Sequence, residues 1–200
     1  MEELAPGLHR WTARHPAWEP GAEPGSPGDW PPDVGCIVYR APDELVLIDP
    51  LVERWVPLDA LVEGHGRPVV VLTTMRFHGR SRDEVAERYG AELRSHGAEP
   101  PAGVRRIPIE GMDETMVYLE APRALVPGDR LLGDPQGGLR PCPASWLRYV
   151  DRDAPPDEAA LRAALAPLLE LDVESVLVSH GDPVRRGGAA ALRALLDRPA

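Results

Sequence analysis

Val69-Val70-Val71-Leu72-Thr73-Thr74-Met75-Arg76-Phe77-His78-Gly79-Arg80-Ser81 is the stretch on which the reading of this chain turns. Its first four residues are apolar and mostly β-branched, which predicts a strand buried on both faces. Its last residue opens Ser81-Arg82-Asp83-Glu84, the pattern of a capping box, in which the serine accepts from a backbone N–H and the glutamate reaches back. The helix that follows should carry Val85, Tyr89 and Leu93 on one face and stop near Gly97. Between strand and helix lies a loop with one histidine and two arginines. A polar loop held between two regular elements is where chemistry is usually placed.

Further strands and helices surround this unit. Residues 34–39 and 44–48 are short Val/Ile/Leu-rich runs separated by Arg40-Ala41-Pro42-Asp43, which predicts a hairpin. Residues 57–63 read as a helix with Pro57 in its first turn, ended by Gly64 or Gly66. Strands are expected at 104–109, 116–119, 124–126 and 175–178, and helices at 156–171 and 189–197. There is no repeat of fixed period. The order suits an α/β (α+β) chain, a two-sheet sandwich with helices outside it, as one domain over residues 1–200. Residues 18–33 are rich in Pro and Gly and form a loop or extended flap. Trp11, Trp18 and Trp30 lie in or beside it. They either pin the flap to the body by burying apolar area or form an aromatic wall for a pocket.

The bulk composition narrows the classes. Two hundred residues with 43% hydrophobic content suit a globular protein. A net charge of −10 argues against a nucleic-acid partner, which would need a basic stripe. All 22 basic residues are arginine and asparagine is absent, a bias that fits a GC-rich bacterial genome. Cys36 and Cys142 are too few for a disulfide framework and read as reduced thiols of a cytoplasmic protein. The acidic start Met1-Glu2-Glu3-Leu4 is not a signal peptide, and no apolar stretch reaches membrane-spanning length.

Four landmarks stand in a telling order: Leu47-Ile48-Asp49-Pro50, the 69–81 stretch, Val126-Pro127-Gly128-Asp129, and Val178-Ser179-His180-Gly181. In this order the chain, over roughly residues 7–184, resembles the metallo-β-lactamase superfamily of hydrolases. The resemblance implies an αββα sandwich and a two-metal site. In that family the loop after the buried strand runs Thr-His-x-His-x-Asp-His, and later turns add a histidine, a bridging aspartate and a last histidine. On that pattern Thr74 and Arg76 stand where the first two histidines belong, and Met112 where the third does. His78 takes the aspartate position and Gly79 that of the loop's last histidine. Asp129 and His180 match directly, and Asp49 matches a buried structural aspartate.

The first metal site is therefore lost. A guanidinium offers only donors and stays protonated, and threonine and methionine are poor ligands for a hard or borderline ion. The second retains His78, Asp129 and His180, a fair set for one Zn²⁺ or Fe²⁺ with an open position. The same residues could equally be loop histidines bonded to Asp129, with no ion.

Two functions follow from the resemblance. One is a diverged hydrolase with at most one metal, acting on a small ester or thioester. The other is a catalytically inactive, metal-free binding or scaffold protein, in which Arg76 pairs with Asp129 and fills the former metal site. With Arg80 and Arg82 on the rim, such a cleft would suit a small anionic ligand. No G-x-S-x-G elbow is present, and Gly137-Gly138 lacks the strand and helix context of a phosphate loop.

Overall fold

The computed structural model describes residues 1–197; residues 198–200, the end of the expected domain span, lie outside the described residues. Strand β5 (Val69–Leu72) sits in a six-stranded sheet of order β1-β2-β3-β4-β5-β6. Its partners are β1 (Glu2–Ala5), β2 (Leu8–Arg14), β3 (Asp33–Arg40), β4 (Leu45–Ile48) and β6 (Glu92–Leu93). A second sheet of order β12-β9-β8-β7 is made by β7 (Val104–Ile109), β8 (Glu114–Leu119), β9 (Ala124–Val126) and β12 (Ser175–Val176). A short hairpin, β10 (Leu131–Gly133) with β11 (Leu139–Pro141), stands beside them.

The period-2 alternation of strands sorts the side chains into layers. Val70 and Leu72 of β5, with Val46 and Ile48 of β4, face inward and pack against Val117, Leu119 and Val126 of the second sheet. Val69, Val71, Leu45 and Leu47 point the other way, onto Leu58 of helix α1 (Val56–His65) and Val85 of helix α2 (Arg82–Tyr89). The outer face of the second sheet, through Tyr118, Leu125 and Val176, meets helices α3 (Glu158–Leu165) and α4 (Gly188–Leu196). The result is helix, sheet, sheet, helix. A strand buried on both sides needs apolar residues throughout, which is why the valine run of β5 does not alternate.

Several local expectations are corrected. Helix α2 ends at Tyr89, not near Gly97, because Gly90 adopts φ 62° and its N–H closes on the Ala86 carbonyl. Leu93 then belongs to β6, paired with β5, and is exposed. The capping box is not formed: Ser81 Oγ accepts from the Val52 N–H at 3.1 Å. The helix expected over 156–171 breaks into α3 and a 3-10 turn (Ala166–Glu170) with Pro167 at its start, where proline cannot continue the α-helical ladder. Strands β1 and β2 had no sequence signal, since Leu8–Arg14 interleaves Arg, His and Thr with few large apolar residues.

Candidate functional site

The site residues all follow carboxyl ends of strands. Asp49 comes directly after β4, Thr74 and His78 after β5, Asp129 after β9, and His180 after the segment that continues β12. β4 and β5 are parallel, as are β9 and β12, so these ends open on one rim where loops of both sheets meet. Such a rim is a usual ligand position in parallel sheets.

His78 is the hub. Its Nδ1 lies 2.8 Å from Asp49 Oδ2 and its Nε2 3.0 Å from Asp129 Oδ1. His180 Nε2 reaches the same Asp129 oxygen at 3.3 Å. The ligand atoms of His78, Asp129 and His180 all lie within 4.8 Å of one another. All three expected metal-site residues are thus brought together.

Asp49 is held in turn by the Thr74 backbone N–H (2.8 Å) and the Thr74 hydroxyl (2.6 Å). Thr74 therefore braces the aspartate that orients His78. Burial and the Arg80 charge push the His78 imidazole down, yet Asp129 and Asp49 on its two sides outweigh them and hold it up at about 9. Burial pushes the Asp129 carboxyl up, but His78 and His180 keep it well below the ordinary carboxylate range. Burial lowers His180, leaving it neutral. Its Nδ1 is buried without a hydrogen-bond partner among the described residues.

The Gly128-Asp129 turn is fixed from below by Glu114. That carboxylate accepts from the backbone N–H groups of Gly128 (3.0 Å), Asp129 (2.8 Å) and Arg130 (2.9 Å). Burial raises the Glu114 carboxyl to about 7, opposed by Arg130 and by those N–H groups. Only glycine fits at 128: a Cβ there would lie 2.8 Å from Thr74 Oγ1 and 2.9 Å from Glu114 Oε2. Two of the four non-glycine residues with positive φ among those described, Asp49 (49°) and Arg80 (39°), stand at this site. Strain of this kind tends to concentrate where a structure positions functional groups.

The triad opens into a cavity of about 330 Å³ whose lining includes His15, Trp30, Phe77, Arg80, Arg130, Trp146 and Tyr149. Trp30 and Trp146 pack edge-on against His180, with ring centroids 5.4 and 5.6 Å away. The flap tryptophans thus divide their roles. Trp11 anchors the chain by donating to the Leu51 carbonyl, and Trp18 donates to the Trp30 carbonyl. Trp30 is part of the cavity wall.

The expected Arg76–Asp129 pair does not form. Arg76 follows the first residues of a 3-10 turn outward, donates to the Tyr149 carbonyl at 2.5 Å and lies 3.8 Å from Asp151. It lines a separate depression with His96, Asp113 and Asp151. The reason is simple: imidazole and its backing aspartate already fill the space beside Asp129. Arg82 is likewise outside, paired with Asp83, whereas Arg80 does reach the cavity. Met112 is buried in the core and offers only its carbonyl, to Arg130 Nε. Sequence reasoning missed Glu114, Arg130, Trp146 and Tyr149. For Arg130 the adjacency to Asp129 was the available signal; for the others there was none.

The donors present suit a divalent ion. Asp49 accepts the hydrogen bond from His78 Nδ1–H, so that in the neutral ring the Nε2 lone pair would face the triad centre; a carboxylate behind a ligating histidine commonly does this. Two imidazoles and a carboxylate would hold one ion with a coordination position to spare. Arg80 opposes this, as a fixed positive charge close to the triad.

No family model matches this sequence, and no curated protein matches it either. Solved structures do match. A metallo-beta-lactamase family protein from Thermus thermophilus is 16% identical at a TM-score of 0.52, covering 96% of this chain and 80% of that one. A metallo-beta-lactamase from Pontibacter korlensis is 14% identical at 0.52, covering 99% and 98%. One from Erythrobacter litoralis is 14% identical at 0.56, covering 98% and 91%. At such identities the likeness concerns the backbone and not the chemistry. The chain has the metallo-β-lactamase fold, and its His78–Asp129–His180 cluster lies at the loop rim of that fold.

Proposed function

We propose that this protein is a mononuclear metal-dependent hydrolase, holding one Zn²⁺ or Fe²⁺ on His78, Asp129 and His180 and acting on a small ester or thioester. The observation that carries the reading is the convergence of two imidazole Nε2 atoms on one Asp129 oxygen, with Asp49 bonded behind His78. When bound, the ion would supply Lewis acidity, which polarises the ester carbonyl at neutral pH. The protein's own part is positional. Asp49 and Thr74 hold the His78 ring, Glu114 fixes the turn that presents Asp129, and the aromatic wall keeps bulk water from one side of the cavity. The wall and the nearby arginines favour a small anionic molecule. Two buried free cysteines fit a reducing compartment, so we place the protein in a bacterial cytoplasm. Among the described residues no helix is long and apolar enough to cross a membrane.

A second reading is a metal-free binding protein without catalysis. It is favoured by His78 bridging Asp49 and Asp129 through its two ring nitrogens, and by the Arg80 charge beside the triad. Elemental mass spectrometry separates the two. Protein purified without added metal or chelator, then dialysed against Zn²⁺ and Fe²⁺, is compared with His180→Ala. Near-stoichiometric metal that vanishes in the variant supports the hydrolase; no metal under any condition removes it and leaves the binding protein.

A further inference from the structure

Two arginines in the cavity wall carry charges that the protein does not neutralise at close range. Arg130 is 1% exposed, yet it lines the cavity. Its Nε donates to the Met112 carbonyl at 3.1 Å and its Nη1 to Cys142 Sγ at 3.8 Å. Its Nη2 has no hydrogen-bond partner among the described residues. Arg80 donates to the carbonyls of Gly35 (3.1 Å) and Asp49 (2.9 Å) and to Ser179 Oγ (2.6 Å), and its Nε is buried without a partner. All of these acceptors are neutral.

Arg67, Arg76, Arg82, Arg88, Arg94, Arg123, Arg162 and Arg185 stand within ion-pair distance of a carboxylate, whereas Arg10, part-buried beside the Val178 carbonyl, has an Nε without a hydrogen-bond partner among the described residues. The two arginines that face the cavity have no carboxylate at ion-pair distance among the described residues. A guanidinium cannot discharge itself by losing a proton, and a buried charge without a close counter-ion is costly. The carboxylates of Asp49, Asp129 and Glu114 attract these cations from further off, but the oxygens of Asp49 and Glu114 and Oδ1 of Asp129 are committed to His78, His180, Thr74 and backbone N–H groups. A close counter-charge is missing, and the cavity is where it can enter.

The wall above these cations is aromatic. Trp30 and Trp146 each pack edge-on against His180, and the exposed Phe77 and Tyr149 meet edge-on with centroids 6.2 Å apart. Phe77 and Tyr149 are each about half exposed. An inorganic anion would use the arginines and leave these rings bare. We infer that the cavity is a binding site for a small amphipathic carboxylate, with its carboxylate on Arg130 Nη2 and its apolar body against Trp30, Trp146 and the Phe77–Tyr149 rim. The inference does not depend on the metal, since both the cations and the rings belong to the chain itself. It is also compatible with ester hydrolysis, whose acid product has this chemistry.

The test uses full-length, chelator-treated protein titrated with phenylacetate and with uncharged phenylacetamide, followed by tryptophan fluorescence and by calorimetry. Phenylacetate should bind saturably at one site, at least about tenfold tighter than the amide, because a charge-assisted pair is stronger than a neutral one. Arg130→Lys keeps the charge but loses the planar fork and should weaken phenylacetate several-fold. Should that variant not fold, the acid–amide comparison on the unaltered protein decides alone. Equal affinity for acid and amide, or no saturable phenylacetate binding, would overturn the proposal. Inorganic phosphate binding as tightly as phenylacetate would overturn its amphipathic part. Metal content, measured separately on untreated protein, tells failure of the hydrolase reading apart from failure of this one.

Discussion

Metal uptake should be steeply pH-dependent, and His78 sets the slope. Asp129 on one side and Asp49 on the other hold its imidazole at about 9, against the opposing effects of burial and Arg80. An ion can use Nε2 only after that proton leaves. His180 is lowered and Asp129 is held well below the ordinary range, so neither binds a competing proton near neutrality. One proton should therefore be released per ion bound. Below pH 9 the apparent affinity should rise about tenfold per pH unit. At pH 7, two units under the His78 value, the competition costs about 2.7 kcal/mol, or roughly a hundredfold in affinity. The assay is a Zn²⁺ titration against a chromophoric chelator at several values between about pH 6.5 and 9, corrected for the chelator's own protonation. Asp49→Asn removes one of the two carboxylates that raise His78 and should shallow the profile. A flat profile over this range, or an unchanged one in Asp49→Asn, would refute the assignment of His78 as ligand and Asp49 as its orienter.

Other outcomes follow from the same geometry. Without metal, His78 is raised from 6.5 to about 9; its contribution to stability is complete below about 6.5 and lost as pH rises through 9. Urea melts of the chelated protein should thus show about 3 kcal/mol less stability at about pH 9.5 than at about pH 6, and no such decline in His78→Gln. Gly128→Ala should lower the melting temperature by an amount equivalent to roughly 1–3 kcal/mol, through the Cβ contacts with Thr74 and Glu114, and should weaken metal uptake with it. Arg76→Ala should change stability by no more than about 0.5 kcal/mol in a denaturant melt, since this side chain is 49% exposed. A loss of several kcal/mol there would restore the Arg76–Asp129 pairing.

Strand β5 and the convergence of His78, Asp129 and His180 were legible in the sequence because they depend on local pattern and on loop order. A run of β-branched residues has few homes other than a doubly buried strand, and His78, Asp129 and His180 each follow a strand at a place the fold resemblance marks. The end of α2 was misread because Leu93 continues the helical spacing. Gly90 in the left-handed region overrides that spacing, and pairing with β5 draws residues 92–93 into the sheet. Arg76 was misassigned for a different reason. Its position in the loop suggests proximity to Asp129, but the direction of a side chain from a 3-10 turn depends on what already occupies the interior. Here the occupant is His78 with Asp49 behind it. Arg130 and Trp146 reach the cavity through segments whose course no local pattern specifies.

The neighbours of the cluster hold it in place. Thr74 closes a hydrogen bond onto Asp49 at 2.6 Å, and Asp49 is thereby fixed against His78. Glu114, two residues after Met112, turns to the backbone N–H groups of residues 128–130. Both contacts stiffen the presentation of the cluster. Unpaired buried carboxylates destabilise a fold, so buried Asp49, Asp129 and Glu114 need partners. Each has partners of good geometry, two of them raising the basicity of a single histidine. In a metal-free protein His78 serves as the shared cation of these two carboxylates. That leaves one ionic step between the metal-free and metal-bound states, exchange of the His78 proton for a divalent ion. In either state the His78–Asp129–His180 cluster is oriented by the same neighbours, Asp49 and Glu114.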